Sequence, residues 1–304
     1  MADDDRLPEL PSQVTDKVIA AYRADGVVCL RGVFAGHWMG VVRAGFERNL
    51  AKPGRRATVY RPGSDDFVGD EGARNFVAGK PFVLGESAEP RFFNDCTTWQ
   101  DNAEYSEFVR RSPAAAIAKA LMGSAKVNIL FEDILIKEAL ADAPTPWHHD
   151  VPFWPVLGSQ VCGVWLPLDP VTEENRVRFI RGSHRWGRRF LPMAMVDPDA
   201  HYGIDLAAAG YEATPDFDAE IERHEILTWN LEPGDCLVFD GHVVHGAPPN
   251  RVDRPRRIFA TRWTGDDCVY AGDKHAQIGP PFPHADVKRG APMDGEVFPV
   301  ILPR

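Results

Sequence analysis

Three things are missing from this sequence: a long apolar run, a closely spaced pair of cysteines, and any excess of basic charge. No stretch approaches the roughly 20 apolar residues that a membrane-crossing helix needs, so no membrane partner is expected. The five cysteines (Cys29, Cys96, Cys162, Cys236 and Cys268) are odd in number and scattered, which speaks against a disulfide framework. None forms Cys-x-x-Cys, which speaks against a thiolate zinc site. A formal net charge of -10 advertises no nucleic-acid surface, and a small molecule is the expected partner. The opening residues MADDDRLPELPS lack the basic-then-apolar order of a secretory signal, so a cytoplasmic location is expected.

What is present reads as ordinary globular protein, with 44% hydrophobic and 26% charged residues in a chain of 304. Val14, Val18, Ile19 and Tyr22 fall at helical spacing within residues 12–24, and Asp25-Gly26 stops that helix before a short buried strand at 27–30. A second helix is expected over 37–49, ended by Lys52-Pro53-Gly54. Residues 55–100 read as irregular. Residues 106–122 read as helical, with Ser112-Pro113 supplying a fresh N-terminus part way along. Beyond that, short β-rich runs take over at 127–137, 160–168, 176–180, 236–239 and 257–263. Many short strands separated by turns point to a mainly β sandwich or barrel with flanking helices. No repeat or linker divides the chain, so a single domain is expected, with a helical part over 12–122 and a barrel core over 127–265. A segment at 189–223, containing Met193, Met195, Tyr202 and Tyr211, interrupts the strand series as a lid-like insertion.

The chemistry centres on Thr145-Pro146-Trp147-His148-His149-Asp150. In a strand, residues two apart face the same side, so His148 and Asp150 can converge on one ion. They would supply two of the three ligands of a 2-His-1-carboxylate triad, which covers one face of iron(II) and leaves positions open. With 10 histidines and 44 acidic residues, His-x-acid should arise by chance roughly once or twice. A second copy does occur, His284-Ala285-Asp286, but it lies among Pro280, Pro281 and Pro283, where a ladder strand is not expected. The third ligand must come from a distant strand, and His242 and His245 both follow a strand candidate at 235–239. Gly246-Ala247-Pro248-Pro249-Asn250 would end the chain element at the metal, which favours His245. Arg256 enters the next strand; its guanidinium could fork a dicarboxylate, or belong to a solvated cluster with Arg251, Arg254 and Arg257.

With these residues in view, the sequence resembles the phytanoyl-CoA dioxygenase family of iron(II)- and 2-oxoglutarate-dependent oxygenases. The resemblance runs in order through residues 25–32, residues 145–155, Val164-Trp165-Leu166-Pro167-Leu168-Asp169, Arg181-Gly182-Ser183-His184, residues 245–250 and Arg256. It implies a double-stranded β-helix, a cupin-like jelly-roll barrel. His148, Asp150 and His245 would be the catalytic metal ligands, and Arg256 would anchor the distal carboxylate of 2-oxoglutarate. Trp165, Thr145 and Lys137 are further co-substrate contacts on this reading, and Arg257 becomes an outward structural residue. Dioxygen would be the oxidant, with succinate and carbon dioxide released as the substrate is hydroxylated.

If the barrel strands alternate, Phe131, Asp133, Leu135 and Lys137 face inward, as do Ile258, Ala260 and Arg262. Asp133 and Arg262 could then grip a polar substrate or merely satisfy each other, with Phe153 and Trp154 packing against it. His149 is expected to support the site without ligating, and His184 to serve a turn. Two positions depart from the family pattern: Ala247 stands where a hydroxyl residue is frequent, and Arg176 where glycine is. Asp150 retains the carboxylate that halogenating relatives lack, which favours hydroxylation. The competing readings are a metal-dependent cupin-type oxygenase that does not use 2-oxoglutarate, and a catalytically silent binding protein of the same fold.

Overall fold

The computed structural model describes residues 7–60, 77, 79–190, 210–272 and 287–303. The His284-Ala285-Asp286 triplet and the middle of the insertion, including Met193, Met195 and Tyr202, lie outside these residues.

The four described α-helices lie in the first 122 residues, with three short strands between them. Helix α1 (Asp16–Asp25) starts on Thr15, whose side chain accepts from the Val18 N–H, and stops at Gly26, whose φ of 85° closes the helix end. Gly26 is required twice over, because a Cβ there would lie 2.4 Å from His184 Nδ1. Helix α2 spans His37–Ala51, and the expected break at Ser112-Pro113 separates α3 (Ala103–Arg111) from α4 (Ala114–Met122).

The strands β1 (Val27–Leu30), β2 (Thr58–Tyr60), β3 (Phe92–Cys96), β4 (Val127–Lys137), β7 (Val161–Pro167), β10 (Cys236–Asp240), β12 (Arg256–Thr264) and β14 (Val300–Leu302) form the larger sheet. Its order is β1-β10-β7-β12-β4-β3-β2, with β14 also pairing β4. A smaller sheet has the order β5-β11-β8-β9, from β5 (Thr145–His148), β8 (Arg178–Ile180), β9 (Ile226–Leu227) and β11 (His245–Ala247). A two-stranded ribbon joins β6 (Val156–Leu157) to β13 (Val269–Tyr270). The result is a mainly β jelly roll whose two sheets stay unclosed. Residues 55–100 are not wholly irregular: β2 and β3 extend the sheet edge, a pairing that the short, mixed run Phe92–Cys96 did not advertise.

Alternation along the strands sorts side chains between two environments. Ile134, Ile136, Val164, Leu166 and Phe259 face the helices, where they pack with Tyr22, Phe46, Tyr105 and Ile117. Phe259 sits 4.6 Å from the Tyr105 ring and 5.1 Å from the Phe108 ring, so its truncation to alanine should cost about 3–5 kcal/mol. The opposite face turns Leu135, Trp165, Leu237, Phe239, Ile258 and Ala260 into the barrel, together with Phe179 and Ala247 from the smaller sheet. The described parts of the insertion, Tyr211 to Arg223, start beside Arg189 and run to Phe217, which packs with Trp147, Phe190 and Val244 against the smaller sheet.

Candidate active site

The register of the smaller sheet brings together residues that could hold a metal ion. Strand β11 pairs β5 so that His245 lies directly opposite His148, and directly opposed residues share a face. Their ring centroids are 4.3 Å apart. The strand ends at His148, so strand parity is not what aims Asp150. Asp150 instead has helical backbone angles (φ -73°, ψ -40°) at the start of a 3₁₀ turn, Val151–Phe153. Its N–H and that of Val151 both donate to the Gly241 carbonyl, at 2.9 and 3.0 Å. That anchor swings the carboxylate back: Oδ1 lies 3.5 Å from His148 Nε2 and 3.8 Å from His245 Nε2.

One donor atom from each of the three residues lies within 4.8 Å of the others. Both imidazoles are oriented from behind: His148 Nδ1 is 2.8 Å from the Pro146 carbonyl, and His245 Nδ1 is 3.0 Å from the Val243 carbonyl. A carbonyl only accepts, so each Nδ1 carries the proton and each Nε2 presents its lone pair to the ion. Burial, then the neighbouring His148, pulls His245 down to about 3, so the imidazole is neutral at physiological pH. Burial alone would raise Asp150, but the Arg262 cation and the two imidazoles outweigh it and hold the carboxyl well below its usual range. Phe179 stacks on His245 at 5.5 Å and 23°, and Phe153 meets His148 edge-on at 5.7 Å. Two imidazole nitrogens and one carboxylate oxygen on one side of a point are the donor set of a non-haem iron(II) site.

His242 does not belong to this set. Its Nδ1 is 2.8 Å from Asp240 Oδ1, and its side chain is half-buried away from the triad. His149 also points elsewhere, accepting from the Phe190 N–H at 2.9 Å. His184 Nε2 meets the Arg23 carbonyl at the end of α1, in keeping with a turn role.

The barrel interior holds a second unfinished arrangement. Arg256 and Lys137 lie directly opposite each other on β12 and β4, 5% and 1% exposed. Among the described residues neither has a carboxylate partner. Arg256 Nη1 donates to the Asn175 carbonyl at 2.6 Å while its Nε has no partner, and Lys137 Nζ reaches the Pro248 carbonyl at 3.5 Å and lies 5.2 Å over the Phe92 ring. Burial pulls Arg256 down to about 10; burial, then Arg256 itself, pushes Lys137 well below the ordinary lysine value. Two buried basic groups without a counter-charge are costly to hold protonated unless an anion joins them, and a dicarboxylate co-substrate would supply it. The donor set and the cation pair therefore fit iron(II) and 2-oxoglutarate. Arg257 faces outward, as strand parity requires, and pairs with Asp169 at 2.6 and 2.9 Å.

Thr145 stands across from Ala247 in the β5–β11 pair. Trp165 lies opposite Ala260 in the interior cluster. Arg176 does not disturb its turn: the adjacent Asn175 is fully buried, donates to Asn250 Oδ1 at 2.9 Å, and offers its carbonyl to Arg256. Asn175 and Asn250 brace the end of the sheet that carries Arg256 and Lys137. The sequence carried no periodic signal for either.

Asp133 and Arg262 share the interior with the triad. Arg262 Nη2 is 3.5 Å from Asp133 Oδ2, and its Nε is 3.6 Å from Asp150 Oδ2. Its guanidinium lies 5.5 Å above the Trp154 ring, which in turn meets Phe131 edge-on at 5.6 Å.

Comparison with known proteins agrees with this geometry. The family model described as phytanoyl-CoA dioxygenase matches residues 22–258. A probable phytanoyl-CoA dioxygenase of Caenorhabditis elegans is 23% identical over 202 residues; the match spans 64% of this chain and 60% of that protein, less than two thirds of its length. Among solved structures, the non-haem α-ketoglutarate-dependent carbocyclase SnoK from nogalamycin biosynthesis superposes with a TM-score of 0.68 at 20% identity, covering 96% of this chain and 98% of SnoK. The epimerase SnoN, in complex with Fe3+, α-ketoglutarate and nogalamycin RO, gives a TM-score of 0.67 at 22% identity, covering 94% and 97%.

Proposed function

The chain belongs to the phytanoyl-CoA dioxygenase family of iron(II)- and 2-oxoglutarate-dependent oxygenases, and from that premise we propose that it hydroxylates a small organic molecule, releasing succinate and carbon dioxide. The observation that carries this reading is the coexistence of the His148-Asp150-His245 donor set with two uncompensated buried cations in one barrel.

On this reading His148 and His245 present Nε2 to iron and Asp150 presents Oδ1, each held by a backbone contact that sets its orientation before the metal arrives. Arg256 and Lys137 hold the distal carboxylate of 2-oxoglutarate, with Thr145 and Trp165 beside it. When bound, iron and 2-oxoglutarate together supply the activation of dioxygen, coupled to oxidative decarboxylation of the co-substrate. Phe153 and Trp154 exclude water from the open side of the site and give the substrate an apolar wall. The retained carboxylate at Asp150 supports hydroxylation; the epimerase and carbocyclase among the structural neighbours are other outcomes available to the same fold.

The strands β1 and β14, from opposite ends of the sequence, lie in one sheet, which supports a single folding unit. Five free thiols support a reducing, cytoplasmic setting, and no described helix is long and apolar enough to cross a membrane. The test is turnover: iron-loaded protein with 2-oxoglutarate, dioxygen and a substrate library should form succinate together with a product heavier by one oxygen atom. Products that are isomers or have lost two hydrogens, with succinate still formed, would replace hydroxylation by another oxidation.

A further inference from the structure

The side chains around Arg262 leave four buried polar atoms without partners: Arg262 Nε and Nη1, Asp133 Oδ1 and Asp150 Oδ2. Buried polar atoms are nearly always satisfied, so such a group at one place marks a missing ligand. An ion held by Asp150 Oδ1, which faces the imidazoles, would still leave Asp150 Oδ2, Asp133 and Arg262 incomplete. Their contact of 3.5 Å is far longer than the roughly 2.7–2.9 Å of a closed charge-assisted bond. Arg262 is drawn between two carboxylates and closes on neither, because Asp150 Oδ2 holds its Nε side at 3.6 Å. Phe239 lies below the guanidinium at 5.9 Å, and a Cβ at Gly163 would sit 3.6 Å from Nη1 and 3.2 Å from that ring. The arginine is thus seated in a fitted bed rather than reaching toward solvent.

Asp133 opens onto the same space. It and Leu135 alternate with the sealed Ile134 and Ile136; although both face the barrel interior, they keep some exposure, 13% for the Asp133 side chain. That residual exposure leaves the Asp133 carboxylate reachable from the interior. The aromatic wall of Phe131, Phe153 and Trp154 borders it, and the metal ligand Asp150 shares Arg262 with it.

We propose that the substrate is a small zwitterion, its cationic group read by Asp133 and its carboxylate by Arg262, with a hydrocarbon portion against the aromatic wall. This rests on the oxygenase reading and names the substrate class for that site. With Asp150 counted toward the metal it would hold, the subsite carries one negative and one positive side chain, Asp133 and Arg262, so it is neutral as a whole. An anion would meet Arg262 but face Asp133, and a cation would meet Asp133 but face Arg262; each buries an unbalanced charge. A zwitterion completes both residues and adds no net charge.

The experiment reads the weak visible absorption that an iron(II)–2-oxoglutarate chelate gives under anaerobic conditions, and its perturbation by added probes. The probes are L-phenylalanine, 3-phenylpropionate and 2-phenylethylamine, which share a frame and differ in charge. L-Phenylalanine is expected to perturb the absorption at concentrations at least about tenfold lower than either single-charge probe. In Asp133→Asn its advantage over 3-phenylpropionate should shrink below about threefold, because the residue that penalises an anion is gone. A single-charge probe matching L-phenylalanine in the wild type, no perturbation by L-phenylalanine, or an undiminished advantage in Asp133→Asn overturns the proposal. The wild-type comparison does not depend on how any variant folds. Absence of the absorption itself from metal-loaded protein overturns the oxygenase reading, and this inference with it.

Discussion

Replacing Arg256 by methionine should separate the two tasks its position could serve. In the protein without co-substrate, the guanidinium is 5% exposed, donates to no carboxylate among the described residues, and stands across from a buried amine at Lys137. Its one hydrogen bond among the described residues, 2.6 Å to the Asn175 carbonyl, does not repay the desolvation that pulls the group down to about 10, a cost of about 3 kcal/mol at 1.36 per pH decade. Methionine fills similar volume without charge, and such replacements of buried ions are often neutral or stabilising by about 1–4 kcal/mol. The variant without ligand should therefore melt at the wild-type temperature or a few degrees higher. Binding of 2-oxoglutarate should move the opposite way. Removing one member of a buried charge pair costs about 2–5 kcal/mol, which at 1.4 per decade weakens the co-substrate by roughly 30- to 3000-fold. The assay is paired: thermal melting with and without 2-oxoglutarate, and the KM for 2-oxoglutarate. A methionine variant that loses several kcal/mol without ligand, or that keeps its KM within about threefold, would refute the reasoning. The first result would mean a structural cation, the second a different anchor.

The neighbouring Arg257→Ala should behave inversely. It loses the bonds to Asp169 at 2.6 and 2.9 Å, lowering stability by about 1–2 kcal/mol in denaturant unfolding, while the KM for 2-oxoglutarate stays unchanged. His245→Ala should abolish iron retention after dialysis, whereas His242→Ala, which breaks only a contact to Asp240, should retain it; loss at His242 alone would reverse the ligand assignment. Glu132 is 1% exposed behind the sheet, with Oε1 accepting from the Thr98 N–H and hydroxyl and Oε2 without a partner. Burial raises it to about 8, so between about 4.5 and 8 the native state holds a proton that the unfolded chain releases, and stability falls as pH rises. Glu132→Gln should remove that slope and be more stable by about 2–3 kcal/mol at pH 7; parallel curves of melting temperature against pH for the two proteins would contradict this.

How much of this could be read from the sequence depended on the range of the interaction. The helix ends were legible because capping is local: Gly26 and the Ser112-Pro113 break stand where expected. The ligand pattern His148-x-Asp150 was legible too, but for a reason the sequence misstated. The strand stops at His148, and the Gly241 carbonyl, some ninety residues on, turns Asp150 toward the imidazoles. His245 could be preferred over His242 from the turn that follows it, yet what decides between them is the register of β11 against β5. Alternation correctly turned Leu135, Ile258 and Ala260 inward and Arg257 outward. Strands β2 and β3 escaped notice because Phe92–Cys96 is short and carries Asn94 and Asp95, one of them buried on bonds from Asn49 and Gly54. Asn175 and Asn250 escaped for the same reason: they meet across 75 residues, and an asparagine alone does not announce a buried brace. The 3.5 Å gap between Asp133 and Arg262 is likewise a fact of packing. Sequence could place both residues inside, but not show that they leave each other unsatisfied.

The measurement that bears most directly on the central claim is anaerobic titration of iron(II) and 2-oxoglutarate into metal-free protein, followed by visible absorption. One equivalent of iron should bind, and the weak band of a chelated 2-oxo acid should appear only when both are present. The band should vanish in His148→Ala and in Asp150→Ala while both variants remain folded. Metal-loaded, well-folded wild-type protein that shows no such band, or a band that survives in either variant, would contradict the account.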